Sequence, residues 1–150
     1  FGCHVCEFEV DHETGSVDLE RYTAVDDVGK AINPLILHGQ TQGGIAMGVG
    51  QALMEQAYYD RASGQMLAGS LMDYALPRAD DLPFFATRLS EVPATSHPLG
   101  IRPGGKGGTT PALAAVINAI CDALAEFGVR HIEMPATAER VWRAIQEARQ

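Results

Sequence analysis

The chain has 150 residues, of which 46% are hydrophobic and 20% are charged, and it carries a formal net charge of −8. These values are typical of a single globular unit with its own core, and the negative charge disfavours nucleic acid or an anionic membrane as the main partner. Its three cysteines are too few for a disulfide framework and suit a reducing cytoplasm, and no stretch has the pattern of a secretory signal or a transmembrane span.

The start of the chain predicts a hairpin of two antiparallel strands. Cys3–Val10 alternates with a period of two, and Val17–Val25 continues the pattern after a turn that contains Gly15. The spacing of Cys3 and Cys6 resembles half of a zinc site, but no second cysteine pair follows. We therefore interpret both cysteines as strand residues.

A glycine-rich helix is predicted next. Asn33 is a favourable N-cap and Pro34 suits the first helical position, so we predict a helix over Leu35–Gln56. Each interior glycine costs a helix about 1 kcal/mol relative to alanine, so another backbone or a ligand must pack closely on this one. Gln40 adds a polar side chain to the same surface, and taken alone it is interpreted as a solvated residue. The interior glycines are Gly39, Gly43, Gly44, Gly48 and Gly50.

Further β elements are predicted in the middle of the chain. Tyr58–Leu67 has the pattern of a second hairpin that turns at Asp60–Gln65. Phe84–Val92 alternates loosely and is predicted as another strand, after an acidic loop bounded by prolines at Pro77–Pro83.

The last third of the chain predicts two helices. Thr110 as N-cap and Pro111 at the first helical position begin a core helix, which Gly128 ends. Val129–Met134 is predicted as a short strand, and Thr137 as the N-cap of a final helix. The predicted fold class is α+β, with antiparallel strands, a glycine-rich helix and a core helix.

The loop His97–Pro111 holds five glycines and three prolines in front of the core helix. A loop of this kind before a helix N-terminus is suited to placing backbone N–H groups against an anion. Gly100–Lys106 matches G-x-x-x-x-G-K of a phosphate-binding P-loop, but Gly107 stands where a serine or threonine should hold magnesium. Because no buried strand precedes the loop either, we keep a nucleotide-binding P-loop only as the least favoured alternative.

Two separated stretches resemble the molybdenum hydroxylases, the family of xanthine dehydrogenase, aldehyde oxidase and aerobic carbon monoxide dehydrogenase. The first is Asp26–Leu53, which includes GQTQGGIAMGVGQAL, and the second is Pro98–Ala112 with the core helix after it. Their order and spacing, the preceding strand and the ending EMPATAERVW resemble the C-terminal part of the molybdopterin-binding large subunit. The resemblance covers essentially the whole chain. It implies that residues 1–150 are a C-terminal fragment of the molybdopterin-binding domain, which also agrees with a chain that begins at Phe1 in mid-pattern.

The resemblance implies a cytoplasmic oxidoreductase that hydroxylates a carbon centre with oxygen derived from water. The implied substrate is a small molecule: an aldehyde, an N-heterocycle or carbon monoxide. The implied cofactor is molybdopterin with molybdenum, in the cytosine dinucleotide form. Electrons would leave through 2Fe–2S clusters and FAD on partner domains or subunits, and no side chain of this chain is expected to ligate the metal.

The resemblance also assigns site residues by motif. Gln40 falls on the family's glutamine near the molybdenum, which reverses its interpretation as a solvated residue. Gly39 and Gly43 fall where the helix approaches the cofactor, and the loop glycines fall on the turn beside the metal. The implied cofactor-binding residues are Gly39, Gln40, Gly43, Gly104, Gly105 and Gly107.

The chain departs from the family pattern at Lys106, which stands where the family has its glutamate base, so that GGKGG replaces GGEGG. A carboxylate is ionised at pH 7 and accepts a proton, whereas an ordinary lysine amine is almost entirely protonated. We therefore expect a site that binds the cofactor but hydroxylates poorly, and no turnover by the fragment alone. Natural divergence, an engineered knockout and a one-base sequencing error would each produce this residue. The alternative from another class is a non-catalytic cofactor-binding or assembly subunit on the same scaffold.

Overall fold

The structure is a computed structural model that describes residues 1–149. Two 3-10 turns, at Ala79–Asp81 and Ala125–Phe127, accompany its strands and helices, and the α+β class is confirmed. Within these residues no helix combines the length and the apolar character needed to span a bilayer. The elements are β1 (Gly2–Val10), β2 (Val17–Asp27), α1 (Pro34–Leu53), β3 (Ala86–Ser90), α2 (Thr109–Ala123) and α3 (Ala138–Ala148).

The sheet has the order β1-β2-β3. β1 and β2 form the predicted antiparallel hairpin, whose turn contains Gly15 at φ +77°. β2 continues to Asp27, beyond its predicted end at Val25. β3 pairs with β2 in the parallel sense, with Thr23 opposite Ala86, which corrects the expectation of antiparallel strands throughout. Parallel neighbours need a long crossover connection, and the chain between β2 and β3 supplies it with α1.

The core combines side chains from β2 and from all three helices. Burial of a large aliphatic side chain stabilises the fold by about 1.5–3 kcal/mol, so these contacts fix how the helices lie against the sheet. The arrangement brings the end of β2, one face of α1 and the loop before α2 close together. The largest fully buried side chains are Tyr22, Ile45, Val49, Val116, Ile120, Leu124, Val141 and Ile145.

Helix α1 begins as predicted. The side chain of Asn33 accepts a hydrogen bond from the Ile36 amide at 3.2 Å, and Pro34 occupies the first turn. The helix ends at Leu53 rather than at Gln56.

Helix α2 begins one residue earlier than Thr110, so the prediction of Thr110 as its N-cap is wrong. Gly108 is the N-cap, with helical φ and ψ of −77° and −50°. The Thr110 amide already donates to the Lys106 carbonyl, a helical i to i−4 bond. Glycine at position 108 is required because a Cβ there would overlap the carbonyl oxygen of Thr41 in α1. The close packing of the two helices therefore decides where α2 begins.

Two predicted β segments lack strands. Tyr58–Leu67 turns as expected, but a single bridge joins Tyr59 and Met66, and the exposed side chains of this turn bury too little surface to extend it. Val129–Met134 buries Val129 and Ile132, leaves Met134 exposed, and pairs with no strand in residues 1–149. The buried side chains lie three residues apart and do not alternate as they would in a strand. Thr137 caps α3 as predicted, by accepting a hydrogen bond from the Arg140 amide.

Candidate functional site

Helix α1 and the glycine loop of residues 100–108 meet at one polar contact. The side-chain Nε2 of Gln40 donates to the carbonyl oxygen of Gly105 at 2.7 Å. The two residues are 65 positions apart in the chain, so the fold brings together the two stretches that carry the family resemblance.

A groove of about 500 Å³ lies beside this contact. A Cβ added at Gly39, Gly43 or Gly105 would meet nothing within 4 Å, so all three glycines present bare backbone to open space. Gln40 and Lys106 line the same groove. Of the seven site residues that the resemblance implies, the groove therefore contains five.

The other two predicted residues lie on the far side of the loop. Gly104 and Gly107 line a second pocket, of about 350 Å³, between the loop and the end of β2. A Cβ at Gly107 would lie 3.6–3.7 Å from the carboxyl atoms of Asp26. The loop separates the groove from the second pocket, and Lys106 lies on the loop where it lines both.

The groove fits a flat ligand that is rich in heteroatoms. Bare glycine backbone lets a planar group approach the helix closely, and a Cβ at Gly39 or Gly43 would fill that space. Gln40 uses one N–H for the Gly105 carbonyl, and within residues 1–149 its amide oxygen receives no hydrogen bond. A ligand that carries both donors and acceptors, as a pterin does, matches this glutamine.

The structure also bears on the two sequence motifs that were set aside. The glycine loop follows irregular turns after β3, which ends at Ser90, and so lacks the strand that a P-loop requires. Cys3 and Cys6 lie on β1 as interpreted, Cys3 exposed and Cys6 half-buried. Burial raises the pKa of the Cys6 thiol to about 11, which disfavours the thiolate that a zinc site needs.

A buried polar cluster that was not predicted from the sequence lies behind the loop. The ring of His4 lies 2.9 Å from the Tyr22 hydroxyl through Nδ1 and 3.3 Å from an Asp26 carboxylate oxygen through Nε2. Burial, with smaller effects of the charges on Cys6 and Asp26, raises the pKa of Tyr22, so its hydroxyl stays protonated and can donate to His4. The alternation of side chains along a strand could have revealed this cluster, because His4 and Asp26 both fall at inward positions of their strands.

Comparisons with known proteins give three findings. A family model described as the molybdopterin cofactor-binding domain matches residues 1–83. The chain is 42% identical over 145 residues to the nicotine 6-hydroxylase large subunit of Paenarthrobacter nicotinovorans, which covers 97% of this chain and 18% of that protein. It is 36% identical over 147 residues to the carbon monoxide dehydrogenase large chain of Hydrogenophaga pseudoflava, with 98% and 18% covered.

Similarity in structure agrees with similarity in sequence. The fold matches a chain of the Cu,Mo-CO dehydrogenase crystal structure, in the carbon monoxide reduced state, with a TM-score of 0.94 and 33% sequence identity. That match covers 99% of this chain and 18% of the other. The chain thus spans less than a fifth of the length of the relatives that it resembles throughout.

Proposed function

Because the chain belongs to the molybdopterin cofactor-binding family of the molybdenum hydroxylases, we propose that it forms one wall of the molybdopterin site in an oxidoreductase large subunit. The proposed reaction is hydroxylation of a carbon centre with oxygen from water. Two relatives at 36% and 42% identity, a carbon monoxide dehydrogenase and a nicotine hydroxylase, support this reaction class. The proposed substrate is correspondingly carbon monoxide, an aldehyde or an N-heterocycle.

The proposal assigns residues 1–150 to the C-terminal part of the molybdopterin-binding domain. The chain matches 18% of each of those relatives, so the remaining walls of the pocket would come from the rest of the large subunit. Residues that select the substrate would lie there too, and this chain alone is not expected to catalyse the reaction.

The observation that carries the proposal is the Gln40 contact with the Gly105 carbonyl at 2.7 Å. It holds the loop against the open face of α1, where bare glycine backbone borders the groove. In the proposed role, Gly39 and Gly43 give the cofactor room and Gln40 orients it by hydrogen bonds. Gly105 closes the groove, while Gly104 and Gly107 shape the loop from its other side.

The remaining features of the assembly follow from the family. When bound, the molybdenum cofactor supplies the two-electron redox chemistry of the hydroxylation, and we assign it the cytosine dinucleotide form. FAD and 2Fe–2S clusters would be carried by partner domains or subunits, in line with relatives that are named as large subunits or large chains. The three free cysteines are compatible with the proposed cytoplasmic location.

Lys106 changes what the site can do. It lines the groove at the position of the family's glutamate base, and within residues 1–149 it takes part in no ion pair. A protonated lysine donates hydrogen bonds but accepts no proton, so the general-base step loses its proton acceptor. We therefore propose cofactor binding with impaired hydroxylation.

The test is a paired assay of the full-length large subunit with its electron-transfer partners, unchanged and as Lys106→Glu. Each protein is measured for molybdenum and pterin content and for dye reduction with aldehydes, purines and carbon monoxide. We expect equal molybdenum content and dye reduction faster by about 10²–10⁴-fold in the variant, the range typical of a general base. Lys30→Glu, which changes the other lysine of this chain in the same way, should change neither quantity.

Each of two other results would contradict a different part of the proposal. Full activity with Lys106 in place would show that another group accepts the proton. Absence of molybdenum and pterin from both proteins would remove the cofactor assignment itself.

A second candidate is a non-catalytic cofactor-binding or assembly subunit, and the lysine at the base position is the observation that favours it. Molybdopterin bound by both proteins, with no dye reduction by either, would select that function.

A further inference from the structure

The second pocket, on the far side of the loop from the groove, has a charge arrangement that the cofactor site does not use. It is bounded by the end of β2 and by the loop, and its volume is about 350 Å³. Three charged side chains line it, namely those of Asp26, Asp27 and Lys106.

The carboxylate of Asp27 already binds other partners. Its carboxylate accepts hydrogen bonds from the amides of Gly29 and Val92, at 2.9 and 3.3 Å, and lies 3.2 Å from the guanidinium Nε of Arg102. The Gly29 amide first, then the Val92 amide and the Arg102 charge, hold the pKa of Asp27 below its ordinary value. This carboxylate is therefore anchored to the loops around it.

Asp26 is different, because the only hydrogen-bond partner of its carboxylate within residues 1–149 is His4. Its residue exposure is 8%, and the ring of His4 holds one carboxylate oxygen from behind at 3.3 Å. Tyr22 in turn holds His4 at 2.9 Å. These contacts fix the orientation of the Asp26 carboxylate, and its second oxygen accepts no hydrogen bond within residues 1–149.

The loop passes directly over this carboxylate. The carboxyl atoms of Asp26 lie 3.6–3.7 Å from where a Cβ of Gly107 would be, and Lys106 is the next residue along the backbone. A lysine side chain has a flexible four-carbon stem, which lets the ammonium group reach across a pocket of this size by rotation about its side-chain bonds.

In the structure the Lys106 ammonium lies more than 4 Å from every carboxylate of residues 1–149. We propose that rotation of the lysine side chain brings this ammonium to the Asp26 carboxylate across the second pocket, so that Asp26 is the counter-charge that positions Lys106. The pair draws the ammonium away from the groove, so the cofactor side of the loop presents backbone instead of a charge. In a chain with glutamate at position 106 the same aspartate would repel the loop side chain toward the groove. One carboxylate thus directs the side chain at position 106 to one pocket or the other, according to its charge.

The pairing itself needs no cofactor, whereas its consequence for the groove rests on the proposed function. The first test therefore uses amine labelling. Full-length protein is acetylated with trace acetic anhydride at fixed pH, and the modification of Lys106 is measured by mass spectrometry relative to Lys30. An ion pair of the strength typical of partly exposed sites should slow labelling about two- to fivefold, so Asp26→Asn should raise the ratio by that factor. Asp18→Asn, an exposed aspartate on the same strand, is the matched control and should leave the ratio unchanged.

A mutation-free version covers the case in which Asp26→Asn does not fold. In unchanged protein, 1 M salt should screen the pair and raise the Lys106 to Lys30 labelling ratio. A ratio that is insensitive both to salt and to Asp26→Asn would overturn the proposal.

A double-mutant cycle separates charge pairing from packing. Asp26→Asn removes an attraction in unchanged protein but a repulsion in the Lys106→Glu background, so it should lower the thermal midpoint less in that background. Equal losses in both backgrounds would mean that Asp26 only supports the loop through His4, and the pairing would be wrong. Molybdenum content plays no part in these outcomes, so they test the pairing independently of the cofactor assignment.

Discussion

Two faces of helix α1 carry glycine, and they meet different surroundings. On the packed face, a Cβ added at Gly48 would lie 2.8 Å from the carbonyl oxygen of Thr109, and one added at Gly44 would lie 2.9 Å from the amide nitrogen of the same residue. On the open face, a Cβ at Gly39 or Gly43 would meet nothing within 4 Å.

The difference shows that one residue type serves two purposes on one helix. On the packed face, the missing side chain lets the backbone of α2 approach, and the gain in packing offsets the cost to the helix. On the open face, each glycine costs about 1 kcal/mol of helix stability and returns no packing within residues 1–149. A surface kept bare at that cost is what a ligand-facing wall requires.

The largest expected effect is on the packed face, where Gly48→Val should lower the free energy of unfolding by about 1–3 kcal/mol, as overpacking does in close-packed interiors. The added side chain would meet the backbone of α2, which cannot move without disturbing the core. Urea or thermal unfolding of the full-length protein measures the change.

Gly39→Val is the matched control on the open face. Valine has a slightly better helix propensity than glycine, so stability should stay level or rise by up to about 0.5 kcal/mol. Similar losses for both variants would mean that the two faces do not differ in the way that the structure shows.

Features that depend on neighbours in sequence were predictable. The Asn33 cap and the Thr137 cap each need only an amide three residues ahead, and both are confirmed. The start of α2 was placed wrongly because Gly108 packs closely against the Thr41 carbonyl of α1, a contact that no local pattern reveals.

The division of the site depends on non-local geometry in the same way. The resemblance placed Lys106 and the loop glycines in one motif. Which of these glycines faces the groove and which faces the second pocket depends on how α1 lies against the loop. His4 was not singled out because it is one polar residue in an alternating strand. Its partner Asp26 lies just beyond the predicted strand end at Val25, whereas β2 includes it and turns it inward.

A smaller effect with the opposite sign is expected on the open face. Gly43→Ala should raise the free energy of unfolding by about 0.5–1 kcal/mol, because alanine favours the helix and meets no neighbour. The same variant should lower the molybdenum content of the full-length protein, since its methyl group would occupy the proposed cofactor space. A more stable protein with full molybdenum content would show that the cofactor does not approach this face.

The smallest effect concerns the polar contact that joins the open face to the loop. The Gln40 side chain is exposed, so its bond to the Gly105 carbonyl falls at the low end of the net range for hydrogen bonds, about 0.5 kcal/mol, and Gln40→Ala should hardly change global stability. The loop should nevertheless open more often, so cleavage after Lys106 by a lysine-specific endoproteinase should accelerate about twofold. Gln42→Ala is the control, because Gln42 lines a different pocket beside β3, and it should leave cleavage unchanged. Equal cleavage of the two variants would mean that the glycine and proline backbone holds the loop by itself, and Gln40 would then be free to serve a ligand alone.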